Sequence, residues 1–446
     1  MSSVGREKSL AHEICIIGAG PAGLVAARAL GARGLEYTHY ERNSGVGGVW
    51  DIDAPGTPMY ESAHFISSRT VSGFSGFEMP EDYPDYPNHR QILAYLRDFA
   101  DHHGLTERIR FNTAVERLAA DGGSWRVTLA DGTVEEYGAV IVCPGVQWDP
   151  LEVGVPGYTG EVRHSVTYRS ADEFRGRRVL VVGGGNSGCD IACDAARTAE
   201  AVSISMRRGY WFIPKHVFGV PSDVVGGKGS FLPKRVERAL LQPFLRLLVG
   251  DVSRLGFQKP DHKLFETHPI MNDQLLHHVR HGDVTPRRGI RSADGMTITF
   301  TDGSSADFDV VLLATGYRHS VPFAQELFGD PQHPDDLYLN SFSTRHSGLC
   351  AVGFVETNSG AYQLLDRQAH IVAGYLDERS RGSDVAARFE ERIRTDRPDL
   401  TSGLKFDTSP RHKGYVDSDA FVAHLDAVAA EFGWQRAGER AGERTR

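Results

Sequence analysis

Residues 14–23 read ICIIGAGPAG. Four apolar residues in a row suit a strand covered on both faces, and the G-x-G-x-x-G that follows suits the turn into a helix. Gly18 permits the tight turn, Gly20 lets the backbone approach a pyrophosphate, and Gly23 lets an alanine-rich helix pack closely on the sheet. Phosphates then sit at a helix N-terminus, where free N–H groups and the positive end of the dipole favour anions. The next strand is expected to end near Tyr40 and Glu41. Glu41 lies 18 residues beyond Gly23, which places its carboxylate, with Arg42 beside it, to bond a ribose diol. Gly47, Gly48 and Trp50 follow as a close-approach turn on the same cofactor.

The plan recurs at 178–188, RVLVVGGGNSG, with glycines 183, 185 and 188 in the same offsets. Its second strand, Ala201–Ser205, ends in Met206-Arg207-Arg208 with no acid at the ribose position. A carboxylate there would repel a 2′-phosphate, whereas an arginine makes paired, charge-assisted bonds to it. The second loop therefore reads as an NADPH site, with Arg207 the stronger candidate, Arg208 its neighbour, and Asn186 and Ser187 helping to bind the cofactor.

Between and after these units the spacing predicts a helix over Gln91–Gly104. It also predicts hairpins at Ser124–Leu129 with Val134–Tyr137 and at Met296–Phe300 with Phe308–Leu313, turning at Asp131-Gly132 and Asp302-Gly303. The fold class expected is α/β, with two Rossmann-like dinucleotide-binding domains, the second inserted in the first. The boundaries expected are 1–160 and 310–446 for the discontinuous domain and 161–309 for the insert.

The 446 residues carry a formal net charge of -9, with 40% hydrophobic and 24% charged residues. That balance is globular, and the negative sign argues against a nucleic-acid partner. The odd count of five cysteines, scattered through apolar stretches, reads as reduced buried thiols in a cytoplasmic chain. No apolar run reaches the roughly 18–20 residues that cross a bilayer, so no membrane partner is expected. Ala239–Gly250, the longest candidate, contains Pro243 and Arg246 and reads as a packed helix. Cys189 and Cys193 are spaced for burial on one helix face, not as a redox pair. His277, His278 and His281 lack the third ligand of a metal site and read as a solvated face, so no metal is expected. The stretch from Tyr210 to Gly229 reads either as a cover over cofactor or substrate or as a plain surface loop.

Residues 158–168, YTGEVRHSVTY, resemble the F-x-G-x-x-x-H-x-x-x-(F/Y) fingerprint of flavin-containing monooxygenases. The resemblance extends through GAGPAG, GGVW at 47–50, MPEDYPDYP at 79–87, RVLVVGGGNSGCDIA at 178–192, RRGYW at 207–211 and LATGY at 313–317. It implies FAD in the discontinuous domain and NADPH in the insert. It also implies a small-molecule substrate, O2 as co-substrate, and a flavin C4a-hydroperoxide that oxygenates a nitrogen or sulfur nucleophile. His164 and Tyr168 would link the two domains. Tyr158 replaces the family's first Phe. Tyr168-Arg169 stands where Baeyer–Villiger relatives carry Trp-Pro, which favours the amine and sulfide group. Matching Tyr60, Ser62, Ser68 and Arg69 to the family's Y-x-S-x-x-x-N-x-S-K puts Ile66 at the asparagine that sits beside the flavin. Isoleucine donates no hydrogen bond, so that role is either absent or taken over by a neighbour such as His64 or Ser67. The alternatives left open are an NADPH oxidase releasing hydrogen peroxide and a Baeyer–Villiger oxygenation of a ketone. A homodimer stays open as the assembly.

Overall fold

Strand β1 (Ile14–Ile17), helix α1 (Pro21–Gly31) and strand β2 (Tyr37–Tyr40) form a parallel βαβ unit. All four residues of β1 are buried, as a strand covered on both faces requires. Helix α2 (His89–His102) starts two residues ahead of the expected position because Asn88 and Gln91 form a capping box. The Asn88 side chain accepts from the Gln91 N–H, and the Gln91 side chain accepts from the Asn88 N–H. Strand β3 (Ile109–Arg110) follows, then an antiparallel sheet of β4 (Val115–Asp121), β5 (Ser124–Leu129) and β6 (Val134–Tyr137), and then β7 (Ala139–Val142). The first expected hairpin is present, with Gly132 at φ +84° in its turn. This computed structural model describes residues 13–227, 234–328, 337–406 and 414–434.

The second unit contains β8 (Glu161–His164), β9 (Arg178–Val182), α3 (Asn186–Ala195) and β10 (Ala201–Ser205). An excursion follows with α4 (Ser222–Gly227), α5 (Lys234–Val249) and α6 (Gln274–His281), before the chain returns as β11 (Val284–Arg287). An antiparallel sheet of β12 (Ile290–Asp294), β13 (Thr297–Phe300) and β14 (Ser305–Asp307) leads to β15 (Val310–Leu313). Strands β11-β10-β9-β15-β8 make one parallel sheet in that order.

The chain then re-enters the first unit with β16 (Leu337–Tyr338), β17 (Phe342–Ser343) and β18 (Leu349–Ala351), followed by α7 (Tyr362–Ser380), α8 (Asp384–Thr395) and α9 (Ser418–Glu431). β18 runs parallel to β7 and completes the order β16-β17-β18-β7-β1-β2-β3. Helix α1 packs on α7, where Arg28 pairs with the buried Asp366.

One expectation is corrected. Val310–Leu313 is not a hairpin arm. β14 fills that place, and the fully buried VVLL run pairs in parallel between β9 and β8, so the second unit extends past residue 309. Helix α5 covers Ala239–Val249, the expected helix, and packs through Leu245 against Trp211 and Leu264. Away from that contact Leu240 is 63% and Leu247 84% exposed.

Candidate active site

The two glycine loops are built alike. Gly18 (φ +104°) lies so close to β7 that a Cβ would collide with the Cys143 carbonyl oxygen. Gly183 (φ +127°) stands in the same relation to Ala314, just past β15. Gly23 and Gly188 hold their helices against the carbonyls of Gly18 and Gly183, again with no room for a Cβ. Gly20 and Gly185 take the N-cap positions of α1 and α3 in near-identical extended conformations (φ -78° and -77°). Neither helix has a side-chain cap. Uncapped first turns led by glycine leave N–H groups for an anion, and this fits a dinucleotide pyrophosphate at each loop.

Beyond the first loop, Glu41 is buried, and its oxygens accept from the Ala19 N–H at 2.6 Å and the Asn43 N–H at 2.8 Å. Arg42 is exposed, its guanidinium 5.5 Å from the centre of the Trp148 ring. The Gly47–Trp50 turn lies against the loop, where a Cβ on Gly48 would come within 2.9 Å of Gly20 Cα. Trp50 then packs against Phe65 and Phe65 against Tyr362 in tilted pairs, with ring centres 5.2 and 5.3 Å apart. This aromatic run joins the turn to the segment that carries residue 66.

In that segment His64 is exposed, with Nδ1 2.7 Å from the Ser62 carbonyl oxygen. Ile66 is half-buried, and Ser67 accepts from the Ser72 hydroxyl at 2.8 Å. Beyond the second loop, Arg207 is exposed at the end of β10, while Arg208 is engaged by Asp261 at 2.7 Å and His262 at 3.1 Å. Arg287 ends the adjacent strand with its guanidinium 5.3 Å from the centre of the Phe300 ring, and the Arg288 carbonyl accepts from the Ser205 hydroxyl at 2.7 Å. Asn186 has a partner within the fold, its Oδ1 accepting from the Met271 N–H at 2.9 Å, and Ser187 is exposed.

His164 is 3% exposed. Its Nδ1 accepts from the Val166 N–H at 3.1 Å, which leaves the proton on Nε2 to donate to the Gly316 carbonyl at 3.1 Å. Burial holds this imidazole below the usual histidine range. Tyr168 is fully buried and donates to Asp194 at 2.8 Å, with its ring 5.6 Å from that of Tyr60.

The sequence reading passed over the partners of these groups. Asp190 and Asp194, one turn apart on α3, accept from Tyr60 and Ser62 of the first unit. Burial pushes the Asp190 carboxyl above the usual range against the opposing charge of Lys215. The signal available was two acids on the otherwise small, apolar face of CDIACDA. The 210–227 stretch also reaches the first unit. His216 meets Asp85 at 3.0 Å, Tyr86 donates to the Lys215 carbonyl, and Asp223 accepts from the Ser68 N–H at 2.5 Å.

The five cysteines are buried and unpaired. Among the described residues no three His, Cys, Asp or Glu side chains gather as a metal site, and no helix is long and apolar enough to cross a membrane.

The family model described as flavin-binding monooxygenase-like matches residues 11–379. The chain belongs to that family. Among relatives of this flavin-binding monooxygenase, flavin-containing monooxygenase 5 of Oryctolagus cuniculus is 29% identical over 382 residues, covering 80% of this chain and 72% of that one. Indole-3-pyruvate monooxygenase YUCCA1 of Oryza sativa subsp. japonica is 30% identical over 357 residues, covering 76% and 86%. S-allyl-L-cysteine S-oxygenase from Allium sativum shares the fold at TM-score 0.64 and 23% identity, covering 96% of this chain and 90% of that one. Cyclohexanone monooxygenase does so at 0.69 and 17%, covering 95% and 98%. The family to which the chain belongs binds flavin.

Proposed function

We propose that the protein consumes NADPH and O2 to transfer one oxygen atom to a small nitrogen- or sulfur-containing nucleophile. The observation that carries this reading is the pair of equivalent, uncapped glycine loops, the second followed by Arg207 in place of an acid. Gly18, Gly20, Gly23, Glu41, Arg42, Gly48 and Trp50 would hold FAD on the unit formed by the two ends of the chain. Gly183, Gly185, Asn186, Ser187, Gly188, Arg207 and Arg208 would hold NADPH on the inserted unit. When bound, the flavin supplies the redox and oxygen chemistry.

The chain's own groups orient the cofactors and keep water out. His164 has both ring nitrogens committed to backbone, which suits a link between the units and not proton transfer. Arg169 folds back with one guanidinium nitrogen 2.8 Å from the carbonyls of both Val166 and Tyr168. It therefore serves the turn in place of the Trp-Pro of ketone-oxygenating relatives. The half-buried, apolar Ile66 favours a second reading, an NADPH oxidase in which reduced oxygen escapes as peroxide. Hydrogen peroxide formed per NADPH consumed, with no substrate and then with a tertiary amine, a thioether or a ketone, separates these readings. A yield that falls only with the amine or thioether supports the first. One near unity under every condition supports the oxidase.

A further inference from the structure

The segment Tyr60–Ser68 belongs to the first unit by sequence, yet three aspartates of the second unit grip it. The Tyr60 phenol donates to Asp190 at 3.3 Å, the Ser62 hydroxyl donates to Asp194, and the Ser68 N–H donates to Asp223 at 2.5 Å. These acceptors are themselves fixed. Asn272 donates to Asp190 at 2.6 Å, and Tyr168 donates to Asp194 at 2.8 Å with Arg197 at 3.4 Å. Asp190 and Asp194 ride on α3, whose first turn is the second glycine loop. On its other side the segment is tied to its own unit, the Phe65 N–H donating to the Pro87 carbonyl at 2.8 Å and the His89 N–H to that of Ala63 at 3.0 Å. Ile66 lies midway along this bridge.

Apolar contacts would join two units without the cost of desolvating carboxylates. What a carboxylate acceptor adds is a short, directional bond that fixes distance. Distance is what the reaction needs, because misplacement by about 1 Å from a remote change can cost about a hundredfold in rate. We propose that Asp190, Asp194 and Asp223 are positioning residues. Through Tyr60, Ser62 and the Ser68 amide they set the register between the flavin-side segment and the second glycine loop, and with it the geometry of flavin reduction by NADPH. When both are bound, the nicotinamide and the flavin would supply the redox chemistry between them. The three aspartates exchange neither proton nor electron and supply position alone. The proposal rests on the reading that NADPH reduces FAD across the two units.

The test uses the FAD-loaded protein as wild type, Tyr60→Phe, Ser62→Ala and the double variant. FAD content and thermal midpoint are measured first, then NADP+ affinity by titration and the limiting rate of anaerobic flavin bleaching at saturating NADPH. The expected result is a limiting rate lowered about tenfold or more in the double variant, with FAD content intact and NADP+ affinity within about threefold of wild type. Ser62→Thr, which keeps the hydroxyl, should restore the rate lost in Ser62→Ala. Hydrogen–deuterium exchange without NADPH gives a readout apart from turnover, in which peptides spanning 57–68 should exchange faster in the double variant. Should that variant lose FAD, Tyr60→Phe alone decides, since its ring fills the same space. A limiting rate within twofold of wild type, or a loss that only tracks FAD content, overturns the proposal. Wild-type flavin that NADPH does not bleach overturns the parent reading, and this one with it.

Discussion

His164 donates from Nε2 to the carbonyl oxygen of Gly316 at 3.1 Å, joining the strand that opens the second unit to the turn that leaves it. Replacing the ring leaves the Gly316 carbonyl and the Val166 N–H without their partners in a buried place. His164→Ala should therefore lower stability by about 2 kcal/mol. Denaturant unfolding of the FAD-loaded protein measures it, and an unchanged midpoint would remove the linking role.

Acid sensitivity follows from imidazoles that burial holds low, His39, His89, His103 and His164 among them. Burial lowers His39, whose Nε2 lies 2.9 Å from the Gly18 carbonyl, to about 4, and it lowers His164 in the same direction. The unfolded chain titrates near 6.5, so below that pH it binds the proton more readily than the folded chain. Stability should be at its full value above about pH 6.5 and fall as the pH drops toward 4. His39 alone contributes a loss of about 2 kcal/mol at pH 5. His39→Gln should flatten the difference between urea midpoints at pH 7.5 and pH 5, and an equal slope in the variant would assign the loss elsewhere.

Arg207 is the exposed cation at the ribose end of β10, while Arg208 is already engaged by Asp261. Arg207→Ala should raise the KM for NADPH about ten- to a hundredfold, the range of one charge-assisted phosphate bond. The KM for NADH should move less than twofold. Steady-state kinetics with both nucleotides checks this, and equal changes would contradict the assignment.

Gly18 and Gly183 make parallel demands with separable outcomes. Valine at either position is strained by the positive φ and collides with a strand-end carbonyl. Gly18→Val should give colourless protein, read from the flavin absorbance. Gly183→Val should stay yellow and resist bleaching by NADPH. A yellow, stoichiometric Gly18→Val protein would move FAD away from the first loop.

Ile66→Asn introduces the asparagine that the resemblance to flavin-containing monooxygenases places at this position. It should lower the hydrogen peroxide formed per NADPH in the presence of a tertiary amine or thioether by about half or more, a change of about 1 kcal/mol or more in partitioning. An unchanged ratio would mean that position 66 does not govern the fate of oxygen.

The glycine loops were legible because strand, turn and helix impose fixed offsets on residues close in sequence. Their agreement at Gly18/Gly23 and Gly183/Gly188 is the same steric rule met twice. The hairpin at Asp131-Gly132 was legible for the same local reason. Val310–Leu313 was not, because four consecutive apolar residues fit a parallel central strand and a hairpin arm equally well, and only distant partners decide. The aspartates at 190 and 194 escaped notice because the groups that explain them, Tyr60 and Ser62, lie about 130 residues away. The bond from the Met271 N–H to Asn186 was not legible either, because Met271 comes from the far end of the excursion.

The place of β18 beside β7 has a consequence for synthesis. When β7 leaves the ribosome its outer edge has no partner, and the strand that will cover it lies about two hundred residues further on. At roughly 5–20 residues per second that is a delay of about 10–40 s. The inserted unit, complete once β15 has emerged, can close during that interval. The last part of the nascent chain to arrive therefore finishes the half that was begun first, and until it does an unpaired parallel edge stands open to chaperones and to other chains.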